Sequence, residues 1–244
     1  MKKDIQEFYF RVNCMAAEYA IITLRHYGQA KQDFAQLEQF ECISEESRIL
    51  ERKIFHDCII TITFAAMTLE AYLNDLAAHT LGDKLFYENF DMLRPLGKMQ
   101  LIANFVLDVS IDKSGRLFYL VSELFKNRNE LVHNKSKQFT GRGMTEEECR
   151  EYEEFLDTEK GKEYLQESYK VDLSEIKEWI HDAKQALYAL KEVGNCVNEN
   201  SDGKLPTSAL LLSGLFIFTI SEEELARIKE IQTEIGVPTI MEVE

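Results

Sequence analysis

From Ser44 to Gly82 the chain carries one uninterrupted helical pattern, and a helix of that length dictates what the rest must do. Ser44, followed by Glu45, Glu46 and Ser47, has the make-up of a helix N-terminus. Phe55, Ile59, Ile62, Ala66, Leu69, Leu73 and Leu76 return at three- to four-residue spacing and share one face, and Gly82 supplies a stop. An apolar stripe of this length needs other helices to cover it. The 244 residues, 45% of them apolar, are enough to do so, and only three prolines and eleven glycines leave little room for a turn-rich fold.

The remaining pattern agrees. Residues 4 to 40 read as a helix or helical pair, with Phe8, Val12, Met15, Tyr19 and Ile22 on one face and a break expected near Gly28. Short helical pieces broken at Pro95 follow between 84 and 108. A helix is expected from Ser114 to about Ser136, then a loop holding Gly141 and Gly143, then an acidic helix opened by Thr145 with Glu146 to Glu148. Asp172 to Val193 forms a further helix, with Ile176, Trp179, Ile180, Ala183, Leu187 and Leu190 inward. Asn195 to Lys204 has linker composition. Beyond it, Leu215 to Ile220 and Thr239 to Val243 have strand character, flanking a helix capped by Ser221 and Glu224 and ended at Gly236. The expected fold is all-α, an up-and-down bundle of four to five long helices with a small C-terminal appendage that includes short strands. The domain reading is an N-terminal helical extension over 1–44, a helical bundle over 45–195 and an appendage over 205–244.

The five cysteines, Cys14, Cys42, Cys58, Cys149 and Cys196, are scattered and odd in number, so neither a disulfide framework nor a zinc site is implied. Met1-Lys2-Lys3-Asp4 leads into Gln6, Glu7, Arg11 and Asn13, which no signal-peptide core contains, and the apolar run Ala209 to Ile220 is well short of the ~20 residues of a membrane span. The expectation is a cytoplasmic protein with no membrane partner. A net charge of −15 argues against general coating of nucleic acid. Its distribution is uneven: Lys113, Arg116, Lys126, Arg128, Lys135, Lys137 and Arg142 face only Glu123 and Glu130, so residues 113–142 carry +5 and the rest −20. Such an island suits a selective phosphate site, or a solvated loop from Lys135 to Arg142.

Within that island lies Arg128-Asn129-Glu130-Leu131-Val132-His133. With 10 Arg, 10 Asn and 5 His, an Arg followed five residues later by His is expected by chance about 0.2 times, and roughly 0.01 times with Asn directly after the Arg. On a helix of about 100° per residue, Leu117, Leu120, Val121, Leu124 and Leu131 form the apolar arc, widened by Phe118, Phe125 and Val132. Arg128 falls in mid-arc, Asn129 and His133 just past the aromatic edge, and Glu130 on the opposite flank. An arginine so placed demands an anion, either a carboxylate such as Glu70 or an RNA phosphate. With Glu70 as partner, His133 is simply a surface residue at a helix end. Glu70 and Asn74 lie on a polar line of the long helix with His56 and Thr63, which borders a site or forms a hydrogen-bonded helix contact.

Residues Phe125 to Lys135, with Ala66 to Asn74 and Leu93-Arg94-Pro95-Leu96-Gly97-Lys98 upstream, resemble the signature of the HEPN superfamily, helical domains of RNA-cleaving toxins, CRISPR ribonucleases and related defence proteins. The likeness covers roughly residues 45 to 195. It implies a metal-independent endoribonuclease without a cofactor, in which the 2′-hydroxyl of RNA attacks the adjacent phosphorus and leaves 2′,3′-cyclic phosphate and 5′-hydroxyl ends. His133 is then the proton-transfer group, Arg128 the fork that stabilises phosphoryl charge and Asn129 the group that orients phosphate or histidine, with Glu70 and Asn74 supporting. Lys126, Lys135, Lys137 and Arg142 are the candidate RNA-binding residues. The resemblance also implies a homodimer with two motifs face to face, and an antitoxin or other regulatory protein as a possible partner. The alternatives are a non-catalytic HEPN-like module that binds RNA or protein, and a structural protein with a coincidental motif. A di-iron reading of Glu130-x-x-His133 and Glu178-x-x-His181 fails on geometry, because Glu178 and His181 fall about 150° from the apolar face of their helix.

Overall fold

The computed structural model describes residues 15–133, 143–168, 171–201, 205 and 221–237. Helices account for the structure of these residues and no strand occurs among them. In chain order they are α1 (Ala16–Leu37), α2 (Glu45–Leu81), α3 (Asp83–Asn89), α4 (Pro95–Phe105), α5 (Arg116–Val132), α6 (Glu146–Leu156), α7 (Glu159–Ser168), α8 (Ser174–Asn200) and α9 (Glu222–Ile235). The stretches expected to be strands, 215–220 and 239–243, lie outside the described residues.

Helix α2 is the spine, and its ends follow from the local sequence. The Ser44 hydroxyl accepts the Ser47 amide at 3.1 Å while the Ser47 hydroxyl accepts the Ser44 amide at 2.8 Å, so two otherwise orphaned donors are satisfied reciprocally. At the other end Gly82, at φ +82°, turns the chain where a side chain would be strained, and its amide reaches the Ala78 carbonyl at 2.9 Å. Beside the expected stripe lie the buried residues Ile54, Thr61, Ala65, Thr68 and Tyr72, which widen the enclosed arc to nearly half the circumference. The two buried threonines spend their hydroxyls on the carbonyls one turn back, Asp57 and Phe64, each at 2.7 Å. By length and composition α2 could cross a membrane, but here it is the central helix of a packed core.

Three long helices line this spine. Tyr19 meets Phe64 and His26 meets Asp57, so α1 runs antiparallel to α2. Leu117 shares a cavity wall with Leu73, and Leu131 shares another with Ile59 and Ile62, so α5 is antiparallel as well. Trp179 packs on Phe55 while Val193 lies near Leu73, which makes α8 parallel to α2. Consecutive long helices therefore alternate in direction. Leu24, Leu69, Leu73, Leu187 and Leu190 are fully enclosed where they meet, each contributing about 1.5–3 kcal/mol of burial.

Three boundaries differ from the sequence pattern. Helix α1 does not break at Gly28, because Ile231 of α9 packs there so closely that an added Cβ would lie 3.1 Å from its Cδ1. The glycine is a contact point between helices, and its lost propensity is offset by that approach. Helix α8 continues through the expected linker start to Asn200, since Val193 and Val197 extend the buried stripe one more turn against Met99, Ile102 and Leu107. Helix α5 begins at Arg116, two residues late, because the Asp112 carboxylate captures the Ser114 amide at 2.8 Å and hydroxyl at 2.7 Å. Its last helical residue is Val132, short of Ser136. Thr145 caps α6 as expected, its hydroxyl taking the Glu148 amide.

The C-terminal helix α9 joins the bundle through the buried Ile228, Ile231 and Ile235 and through one carboxylate. Glu234 receives Lys184 at 2.8 Å, Lys31 and the Tyr27 hydroxyl, tying α9 to α1 and α8 together. Lys191 donates to the last carbonyl of α9, Ile235, at 2.8 Å.

Candidate functional site

The Arg-Asn-x-x-x-His motif occupies the last turn and a half of α5. Leu120, Val121, Leu124 and Phe125 are buried against α2 and α8, which fixes the rotation of the helix about its axis. The helix ends where the His133 amide donates to the Asn129 carbonyl at 2.9 Å and the His133 backbone leaves helical geometry. Asn129 and His133 are exposed.

Arg128 is half-buried, with 24% of its side chain accessible. One terminal nitrogen donates to Asn129 Oδ1 at 3.0 Å, the other lies 3.4 Å from Glu70 Oε2, and the guanidinium carbon sits 5.9 Å from the centre of the Phe125 ring. Its Nε is buried and makes no hydrogen bond among the described residues. The anion demanded by an arginine in mid-arc is thus Glu70, but the pairing is long and leaves part of the fork unused. For a pair this accessible to water it is worth under about 1 kcal/mol.

Asn74, one turn along α2, is committed elsewhere. Its Oδ1 accepts from Lys98 Nζ at 2.7 Å, in the joint between α2 and α4. Lys98 is only 3% exposed, with the Asp91 carboxylate at 3.9 Å and the Phe86 ring centre at 5.7 Å from its ammonium. The structure brings Glu70 to Arg128 and takes Asn74 to Lys98. His56 is exposed and Thr63 half-buried on the same line, and neither has a side-chain partner in the motif.

Lys126 is exposed and hydrogen-bonded to Glu123 at 3.1 Å, a bond and charge that raise its pKa. Lys135, Lys137 and Arg142 lie outside the described residues. Glu178 and His181 are both exposed, as their helical positions require, and no group of three or more potential metal ligands converges among the described residues.

Two arrangements escaped the sequence reading. His26 Nδ1 and Asp57 Oδ1 lie 2.6 Å apart and clamp α1 to α2. Between α2, α5 and α8, a cavity of about 150 Å³ is lined by Phe55, Cys58, Ile59, Ile62, Leu131 and Trp179, with Asn127, Glu130 and Asp182 completing its wall. Burial pushes the Cys58 thiol at its wall up to about 12, which keeps it protonated and apolar. Burial also raises the Asp182 carboxyl; His181 opposes the shift, and the charges of Glu178 and Glu123 add to it. No sequence period reports on such a cavity, because its walls come from three helices. No family model, curated protein or solved structure matches the chain.

Proposed function

We propose that this chain is a metal-independent endoribonuclease of the HEPN type, with the end of α5 as its active site. The observation that carries the reading is the state of Arg128: it is bonded to exposed Asn129 five residues before exposed His133, while its carboxylate partner Glu70 is 3.4 Å away and its buried Nε is unfilled among the described residues. A guanidinium so placed can exchange a weak internal carboxylate for a phosphate, which offers oxygens to two of its nitrogens at once. The motif would act on RNA alone, through the 2′-hydroxyl.

His133 moves the proton, because histidine is the side chain that exchanges protons most readily near neutral pH. Arg128 stabilises charge developing on the non-bridging oxygens, and Asn129, already bonded to Arg128, orients that fork. One imidazole cannot stand at both ends of an in-line displacement. A two-fold dimer supplies a second, and the exposure of Asn129 and His133 is compatible with such an interface. The chain is proposed to work in the cytoplasm under an antitoxin or comparable restraint, as a toxin or defence nuclease.

The test uses end-labelled RNA and EDTA. The expected products carry 2′,3′-cyclic phosphate and 5′-hydroxyl ends, and 2′-O-methyl RNA resists cleavage. Cleavage of the methylated strand would contradict 2′-hydroxyl attack. A second reading, a non-catalytic module that binds RNA or protein, is favoured by the Glu70 contact and by the −15 net charge, which repels RNA away from the motif. It is distinguished by a salt-dependent complex that leaves the RNA intact.

A further inference from the structure

We propose that the cavity between α2, α5 and α8 is a base-recognition pocket that takes a guanine of the RNA strand, stacked on Trp179 and Phe55 with its donor edge toward Glu130 and Asp182. This rests on the ribonuclease reading and supplies the substrate preference that it lacks. The cavity, about 150 Å³, has room for one purine. Its aromatic wall is the Phe55 and Trp179 pair, ring centres 4.7 Å apart, and any base has a π-face that can stack there.

The polar groups decide which base. Asn127, Glu130 and Asp182 make no side-chain hydrogen bond or ion pair with any other described residue. Two carboxylates repel phosphate and attract adjacent N–H donors, and among the four bases guanine alone presents two neighbouring donors, N1–H and the 2-amino group, on one edge. Uracil offers one donor between two acceptors, and adenine and cytosine one donor beside an acceptor. The Asn127 amide can donate to guanine O6 or N7, the pairing chemistry that purine recognition uses.

The location also fits. Glu130 lines the pocket three residues before His133, the residue that ends α5, so a strand whose base is seated there can continue along the helix surface toward the motif's imidazole. The same donor pair exists in a guanidinium, so an arginine from a protein partner is the rival occupant.

Trp179 is the only tryptophan in the chain, and its fluorescence reports directly on the pocket. The full-length protein is titrated with GMP, AMP, CMP, UMP and N-acetylarginine amide. Saturable quenching by GMP at concentrations at least about tenfold below the other nucleotides is expected, and Glu130→Gln or Asp182→Asn should each weaken it by about tenfold. Equal quenching by all four nucleotides, quenching by the arginine compound alone, or an undiminished GMP response in the doubly substituted protein would overturn the proposal. The titration needs no cleavage. Guanine-selective binding by a protein that leaves RNA intact would sustain the pocket and refute the nuclease, and cleavage without base-selective quenching would do the reverse.

Discussion

Helix α2 holds two cations on successive turns, and it holds them differently. Lys98 is 3% exposed, bonded to Asn74 at 2.7 Å and backed by the Phe86 ring. Arg128 is 24% exposed, 3.4 Å from Glu70, and keeps a buried Nε without a partner among the described residues. Lys98 closes a joint between helices, where a missing partner would leave a buried acceptor unsatisfied. Arg128 is partly open to water, where a weak internal partner costs little to displace. The same helix face thus serves architecture at one turn and, on the proposed reading, an external anion at the next, and the difference lies in burial and bond length.

The largest effect expected from breaking this contrast is on the Arg128 side. Arg128→Ala should lower RNA cleavage by about 10²–10³-fold, the usual loss when a preorganised donor to developing charge is removed. The melting transition should move little, because the Glu70 contact is worth under about 1 kcal/mol. Lys98→Ala should show the opposite pattern: about 2–3 kcal/mol of lost stability from the cavity and the stranded Asn74 oxygen, measured by denaturant unfolding. A large stability loss for Arg128→Ala would erase the distinction.

Glu70→Gln sharpens the comparison. If Glu70 competes with phosphate for Arg128, the substitution should raise affinity for uncleavable 2′-O-methyl RNA by about threefold while costing under about 1 kcal/mol of stability. Weaker binding would mean that Glu70 presents Arg128 to the strand and does not compete for it.

The smallest expected effect lies at Glu234, far from the motif. Burial alone would raise its carboxyl, but bonds and charges from Lys184 and Lys31 outweigh that and hold it below the ordinary glutamate range. A lowered folded value means that the contribution is complete above the unfolded pKa and is lost as pH falls through the folded one. Acid titration of stability should therefore be shallower in Glu234→Gln than in the native chain, in the acid range below the ordinary glutamate value. Screening by water keeps the difference small.

Where the helices begin and end was legible wherever a cap lay beside its helix in sequence, as at Ser44, Gly82 and Thr145. It failed where tertiary packing overruled local propensity, as at Gly28, which Ile231 approaches from α9, and at Val197, which buries a turn that looked like linker. The site divides the same way. Arg128 in mid-arc announced that it needed an anion, and the helical line on α2 offered Glu70. Lys98 stood in the Leu93–Lys98 stretch that opens α4, but nothing in its spacing marked it as buried. The His26–Asp57 clamp, the Glu234 hub and the Trp179 cavity each depend on helices far apart in sequence meeting in space, and no local period carries that information.

The central claim, that the open end of α5 cleaves RNA through His133, is tested most directly by comparing native and His133→Ala proteins on one labelled RNA in EDTA, with folding checked by circular dichroism. Cyclic-phosphate ends from the native protein and none from the folded variant are expected. Undiminished cleavage by His133→Ala would contradict the account.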